Sequence, residues 1–501
     1  MSDGNHLIDA LGASTASNRD ALFAETRNGE RITYGDLFAQ ASTFAAALSA
    51  NGVVPGDRVA VQVEKSLEAI SLYLGVVMAG GVFLTLNTAY TPAEIEYFLT
   101  DAEPRIFVCD PAKAAALRPF SEGAGVSRLL TMDADGAGSL KDDAGRADFV
   151  PVPRSADDLA AILYTSGTTG RSKGAMLSHE NLASNSRALC DLWRFTSEDR
   201  LIHALPIFHT HGLFVATNVT LLAGGSLLFL PKFDADAIIE MMPKATAMMG
   251  VPTFYTRLLN EPTLAQASSD MRLFVSGSAP LLAETHDQWR DITGHAILER
   301  YGMTETNMNT SNPYEGDRRA GTVGMPLPGV EVKVTEPSDG ADLPVGEIGM
   351  VEVRGPNVFK GYWRMPEKTA EELRSDGFFI TGDLGQFDER GYLSIVGRGK
   401  DLIISGGFNV YPKEVEAEID DLPGVEESAV ISAPHPDFGE GVIAVVVAEG
   451  VTEDGIIAAL SDRLAKFKQP KRIFFVDELP RNTMGKVQKN VMRETYKEAF
   501  S

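Results

Sequence analysis

Between residues 33 and 109 the chain alternates segments of two hydrophobic periods, which confines it to layers of helices packed on largely parallel strands. Thr33 stands as an N-cap with Asp36 three residues on. A helical pattern then runs through Leu37, Phe38, Ala41, Phe44, Ala45 and Leu48 until Gly52 closes it. Arg58 to Val63 reads as a strand, Leu67 to Met78 as a buried helix and Val82 to Leu86 as a strand. Thr91-Pro92 with Glu94 opens another helix, and Ile106 to Cys109 resumes strand. Residues 112–158, rich in Ala, Gly and Asp, read as loops with weak structure.

From Val330 to about Val396 the pattern changes to short strands and turns, as in a small antiparallel barrel or sheet. The tail has its own helices, Pro412 to Leu422 and Glu453 to Phe467, and strands Glu427 to Ser432, Val442 to Ala448 and Arg472 to Val476. The fold class is therefore α/β: a large N-terminal domain over 1–397, a hinge at 398–400 and a small α+β domain over 401–501. At 501 residues, more than one core is expected. The net charge of −24 speaks against nucleic acid or an anionic membrane as a partner, since both call for a basic face. Any bound polyanion then needs cations arranged locally. Cys109 and Cys190 are too few for a disulfide framework, and no signal-peptide pattern opens the chain, so the expected place is the cytoplasm. Leu213 to Leu230 is apolar but interrupted by Thr217, Asn218, Thr220 and two glycines, so it reads as core rather than as a membrane span.

The apolar strand Leu159 to Tyr164 leads directly into TSGTTGRSKG, Thr165 to Gly174. Glycines free the backbone N–H groups, the hydroxyls of Thr165, Ser166, Thr168 and Thr169 add neutral donors, and Lys173 adds charge, a combination able to cradle phosphates. It is not a Walker A loop, because Ser172 precedes the lysine and Gly174 follows it. The string YTSGTTGRSKG resembles the signature loop of the adenylate-forming superfamily, which includes acyl-CoA synthetases, luciferases and nonribosomal adenylation domains, and the resemblance extends over nearly the whole chain.

That resemblance implies an ATP site made of Thr165, Ser166, Gly167, Thr168, Thr169, Gly170 and Lys173, with Glu299, Arg300 and Tyr301 along the adenine. In YGMTE it implies Thr304 at the α-phosphate and Glu305 as the Mg²⁺ ligand, a metal that usually takes one or two protein carboxylates. In TGD it implies Asp383 at the ribose hydroxyls, with Arg398 of GRGKD as its basic neighbour. The string PRNTMGKVQK places Lys486 where the superfamily carries a lysine that meets both the carboxylate and the α-phosphate. An ammonium there stabilises charge that develops during adenylation. Relatives rotate the C-terminal domain between half-reactions, which implies a pivot at Lys400 and a pantetheine tunnel at Gly406, Gly407 and Phe408. Relatives are also controlled by acylation of this lysine, which would make an acetyltransferase and a deacetylase partners acting on Lys486.

The acid pocket is expected from PIFHTHG, VPTFYTR, SGSAP and the Gly302-Met303 pair, with His209 and Ser278 among its lining. Arg257 lies about one and a half turns into the helix that begins at VP. Buried there, it would need an anion, and the far carboxylate of a dicarboxylic acid would supply one. VPTFYTR with PIFHTHGL, SGSAPL and ERYGMTETN resembles malonyl-CoA synthetases. The implied reaction takes malonate, ATP and CoA to malonyl-CoA, AMP and pyrophosphate, with methylmalonate as a secondary acid. A medium-chain acyl- or aryl-CoA ligase is the nearest alternative. A carrier-loading adenylation module would form no thioester with free CoA, and a degenerate regulator would not keep Lys486, Glu305 and Asp383 together.

Overall fold

Cap chemistry starts the first helices where the sequence puts them. Thr33 and Asp36 exchange side-chain and backbone hydrogen bonds at the head of the helix Tyr34–Ala50. Thr91 and Glu94 repeat the arrangement at Pro92–Ala102. These reciprocal bonds satisfy N–H groups that a helix start leaves without partners. The helix Leu67–Met78 is apolar on nearly every side and is buried along almost its whole length.

The computed structural model describes residues 4–142, 148–165, 172–337, 339–405, 408–461, 463–482 and 485–500. The chain forms two compact units, residues 1–331 with 353–379 and residues 332–352 with 380–501.

The first unit contains two sheets. In one, the strands run in the order Arg128–Thr131, Ile106–Cys109, Arg58–Gln62, Val82–Thr85, Leu159–Thr165 and Lys173–Ser178. The first five are parallel. The sixth returns antiparallel, with Thr165 opposite Lys173. The chain between these two residues therefore joins the strands of a hairpin and does not lead into a helix as a Walker A loop does. The second sheet has nine strands, and its parallel centre runs Leu298–Met303, Leu273–Ser276, Ala247–Gly250, Arg200–His203, Ser226–Phe229 and Leu22–Thr26. Antiparallel strands close both of its edges.

Residues 112–158 depart from the sequence expectation of loops. They include most of the helix Pro111–Gly123, the strand Arg128–Thr131 and a short helix Ser139–Asp142. Asp110 caps the first of these by accepting from the Ala112 N–H, and Pro111 occupies its first turn. Only Leu117 and Ser121 of that helix are buried, so it shows no broad apolar stripe to read.

The expected small barrel is a four-stranded sheet, most of it in the second unit, in the order Glu331–Thr335, Gly349–Arg354, Phe379–Phe387 and Leu393–Arg398. A second sheet joins Phe408–Val410, Ile403–Ser405, Gly439–Ala448 and Val425–His435, with Arg472–Phe475 parallel to Gly439–Ala448. Val415 and Ile419 of the helix Pro412–Asp420 pack into its core with Val430, Val442 and Ile473. The helix expected over Glu453 to Phe467 is shorter, Glu453–Leu460.

Candidate active site

The hairpin register sets the first part of the site. Thr165 ends one strand and Lys173 begins the next, so both side chains leave the same end of the sheet. Thr165 Oγ1 lies 3.5 Å from Glu305 Oε1. Lys173 is buried, and its ammonium donates to both oxygens of Glu372 at 3.2 and 3.3 Å while lying 4.0 Å from the centre of the Tyr362 ring. The Tyr362 hydroxyl meets Glu372 Oε2 at 2.6 Å and Glu305 Oε1 at 3.0 Å. Lys368 closes the group, 3.0 Å from Glu372. Thr304 is half-buried beside Glu305 in the sequence, and Glu299 and Tyr301 lie on the strand Leu298–Met303. Ser166, Gly167, Thr168, Thr169 and Gly170 lie outside the described residues.

Glu305 fits a Mg²⁺ ligand by its chemistry: a hard oxygen donor, largely buried and hydrogen-bonded, in a group of balanced charge. Among the described residues, no cluster of three or more His, Cys, Asp or Glu could hold a metal by itself.

The acid segments share one edge of the nine-stranded sheet. VPTFYTR follows the carboxyl end of Ala247–Gly250, SGSAP follows Leu273–Ser276, and PIFHTHG follows Arg200–His203. The three strands are parallel neighbours, so their outgoing loops converge, as ligand-binding loops do in open α/β sheets. His211 is buried and its Nδ1 lies 3.2 Å from Ser278 Oγ. Ser278 itself has a left-handed backbone, φ 72°, which a side chain adopts only under constraint. His209 is half-buried on the same segment. Gly302 and Met303 run antiparallel to Asn307 and Met308, and a Cβ on Gly302 would come within 1.8 Å of the Asn307 carbonyl oxygen.

Arg300 carries the unexpected geometry. Its guanidinium lies over Gly277, where an added Cβ would come within 2.4 Å of Cζ, and its charge acts on His211 and Tyr255. Nε and Nη2 are buried and have no hydrogen-bond partner among the described residues. Desolvation lowers its pKa to about 9, partly opposed by Tyr255. The residue expected along the adenine thus meets segments expected for the acid.

Arg257 departs from expectation in the other direction. The sequence predicts a buried cation, and the side chain is exposed, with its guanidinium 5.6 Å from the Phe233 ring. Residues three apart share a helix face. Arg257 therefore stands with Phe254, which packs on Phe233, and not with Tyr255.

Two neutral histidines support this region. Lys65 Nζ donates to His203 Nδ1 at 3.0 Å and to the carbonyls of His203 and Leu230 at 2.8 and 2.6 Å. Because a carbonyl oxygen only accepts, His203 carries its proton on Nε2 and directs it to the Gly212 carbonyl, 2.9 Å away. Desolvation and then Lys65 hold His203 well below the ordinary histidine range, and desolvation and then Arg300 do the same for His211. The folded chain therefore binds fewer protons than the unfolded one below about pH 6.5. Stability falls with acidification through that range, by up to about 1.4 kcal/mol per pH unit for each such histidine. Denaturant melts between pH 7.5 and 5.5 measure this, and His203→Gln flattens the slope.

In the second unit, Asp383 and Arg398 lie opposite each other in adjacent strands and pair through Oδ1 and Nε at 2.6 Å. Lys486 comes within electrostatic reach of both, and of Lys400 and Asp401. Although its side chain is exposed along part of its length, desolvation and then Arg398 hold the ammonium below the ordinary lysine range, opposed by Asp383. Three residues far apart in sequence thus form one group. Gly406 and Gly407 lie outside the described residues, while Phe408 is exposed and stacks on Phe467 at 4.7 Å.

Tyr362 and Glu372 carry no sequence signal of a site. Glu372 lies 199 residues from Lys173, and with Lys368 four positions before it the pair reads as an ordinary solvated helix ion pair.

A family model described as AMP-binding enzyme matches residues 11–363, and one described as AMP-binding enzyme C-terminal domain matches residues 414–486. The crystal structure of ATP-bound MatB from Rhodopseudomonas palustris superposes with a TM-score of 0.97 at 61% identity, covering 99% of this chain and 100% of that one. Malonate–CoA ligase of Arabidopsis thaliana is 32% identical over 98% of this chain and 90% of its own length. Feruloyl-CoA synthase of an Amycolatopsis species is 37% identical over 94% and 96%.

Proposed function

We propose malonate as the acid that this chain, which belongs to the AMP-binding enzyme family, joins to coenzyme A. As an AMP-forming acid–thiol ligase it works in two displacements. A substrate carboxylate attacks the α-phosphorus of ATP and pyrophosphate leaves. The CoA thiol then attacks the acyl carbon of the adenylate and AMP leaves.

The observation that carries malonate is the buried Arg300 guanidinium, two of whose nitrogens have no partner among the described residues, beside Gly277 and His211. A cation in that state costs free energy until an anion reaches it. The reacting carboxylate of any acid is directed at the α-phosphate, so a second carboxylate is the group suited to Arg300, in a bidentate contact. The Ser278 hydroxyl and His211 add neutral donors. Arg257, exposed beside Phe233, is assigned a secondary part at the rim. The malonate–CoA ligase named among the relatives supports the same reading. An aryl substrate, as in the feruloyl relative, would leave Arg300 unsatisfied.

For the nucleotide, Thr165, Lys173 and Thr304 are assigned to the phosphates, and Asp383 with Arg398 to the ribose. Mg²⁺ held by Glu305 would neutralise phosphate charge. Lys486 is assigned to the first displacement, with the tail pivoting at 398–400 so that Phe408 and its neighbouring glycines serve the thiol in the second. Modification of Lys486 by an acyl group would then silence adenylation.

The test is an AMP-release assay with ATP, Mg²⁺ and CoA over malonate, methylmalonate, acetate, butyrate and coumarate. Malonate gives the highest kcat/KM and methylmalonate follows. A monocarboxylate in first place would overturn the assignment.

A further inference from the structure

The phosphate-loop lysine and the Glu305 carboxylate are held by a shared pair of side chains that the reaction scheme does not use. Glu372 accepts from Lys173 through both oxygens, from Lys368 at 3.0 Å and from the Tyr362 hydroxyl at 2.6 Å. Tyr362 also supports the lysine with its ring and reaches Glu305 with its hydroxyl. Its backbone is fixed to the strand after the loop: Tyr362 bridges Ala175, and the Trp363 N–H donates to the Gly174 carbonyl at 2.8 Å. Burial pushes the Glu372 carboxyl up, but hydrogen bonds from Tyr362 and Lys368, with the Lys173 charge, carry it below its ordinary range. It is therefore a carboxylate throughout the neutral range.

The group sets two carboxylates, Glu305 and Glu372, against two ammoniums, Lys173 and Lys368. Tyr362 has one hydroxyl proton and two carboxylates within reach, and the shorter contact is to Glu372. The phenol proton can serve either carboxylate, and the hydroxyl stays within hydrogen-bond distance of both. Lys173 lacks freedom to seek the phosphates by itself, since only 8% of it is accessible.

We propose that Glu372 and Tyr362 are positioning residues for adenylation, which fix the ammonium of Lys173 and the carboxylate of Glu305 as one preset unit for the magnesium-bound triphosphate. This rests on the reading that Lys173 and Glu305 serve ATP. Two charges held ready need no reorganisation when the phosphates arrive, and such preset groups act most strongly where water is excluded.

The experiment measures the two half-reactions separately in the full-length protein. Malonate-dependent ATP–pyrophosphate exchange reports adenylation, and CoA-dependent release of AMP from chemically prepared malonyl-adenylate reports thioester formation. Glu372→Gln slows exchange at least tenfold and shifts the Mg²⁺ dependence, while thioester formation stays within twofold of wild type. Tyr362→Phe shows the same split, and Glu372→Asp recovers part of the exchange rate. Wild-type exchange in Glu372→Gln would overturn the proposal. Parallel loss of both half-reactions with a lowered Tm would also overturn it, because that pattern marks a structural role. Lys173→Met and Glu305→Gln serve as controls. If both retained exchange, the assignment of Lys173 and Glu305 to ATP would itself fail. If both lost exchange while Glu372→Gln kept it, only the positioning role would fall.

Discussion

Arg300→Gln lowers kcat/KM for malonate by two to three orders of magnitude and lowers that for butyrate far less. The ratio between the two acids is the quantity to measure. Losing one side of a buried, desolvated ion pair costs about 3–5 kcal/mol, and only the dicarboxylate makes that pair. In the free protein, two guanidinium nitrogens have no partner among the described residues, so the variant also changes stability. Arg300→Met removes a buried, incompletely partnered cation and fills the same volume with apolar atoms, so its unliganded Tm rises. Malonate raises the Tm of the wild type by mass action and leaves that of the variant unchanged. An unaltered malonate-to-butyrate ratio would refute the role of Arg300. It would return the choice of acid to Arg257, exposed on the other face of its helix.

Lys486→Met has the second large effect. Adenylation falls by about 10²–10³-fold, the usual loss when one preset charge at a developing anion is removed. Thioester formation from supplied malonyl-adenylate continues, because the second displacement requires no cation at an α-phosphate under attack. Exchange and thioester assays on one preparation measure both. Equal losses would overturn the division of labour. The pH profile gives a further sign. Desolvation and Arg398 lower the ammonium from its ordinary value, so adenylation declines on the alkaline side at a lower pH than for a solvated lysine.

Much of this candidate site is legible in the sequence. The YTSGTTGRSKG string, Glu305 in YGMTE, the TGD and GRGKD pair and Lys486 are local strings whose meaning lies in their order of residue types. Asp383 and Arg398, fifteen positions apart, pair at 2.6 Å because one hairpin aligns them. The acid site is less readable. Arg300 and Arg257 are both arginines in expected segments, and the sequence points to the wrong one as buried. Burial depends on which way each element faces: Arg300 passes over Gly277, a glycine on a neighbouring strand's exit loop, whereas Arg257 follows Phe254 to the surface.

Sequence by itself determined the alternation of helices and strands and the reciprocal caps at Thr33 and Thr91, and its local strings are what put forward the groups proposed for adenylation, since each depends on neighbours a few residues away. Tertiary structure alone decided that Glu372 and Tyr362 hold Lys173 and Glu305, and that Arg300 waits buried beside His211. Those contacts join positions tens to hundreds of residues apart, and no local pattern encodes them. Their strength comes from the water-poor, low-dielectric interior, which exists only once the sheets have closed around them.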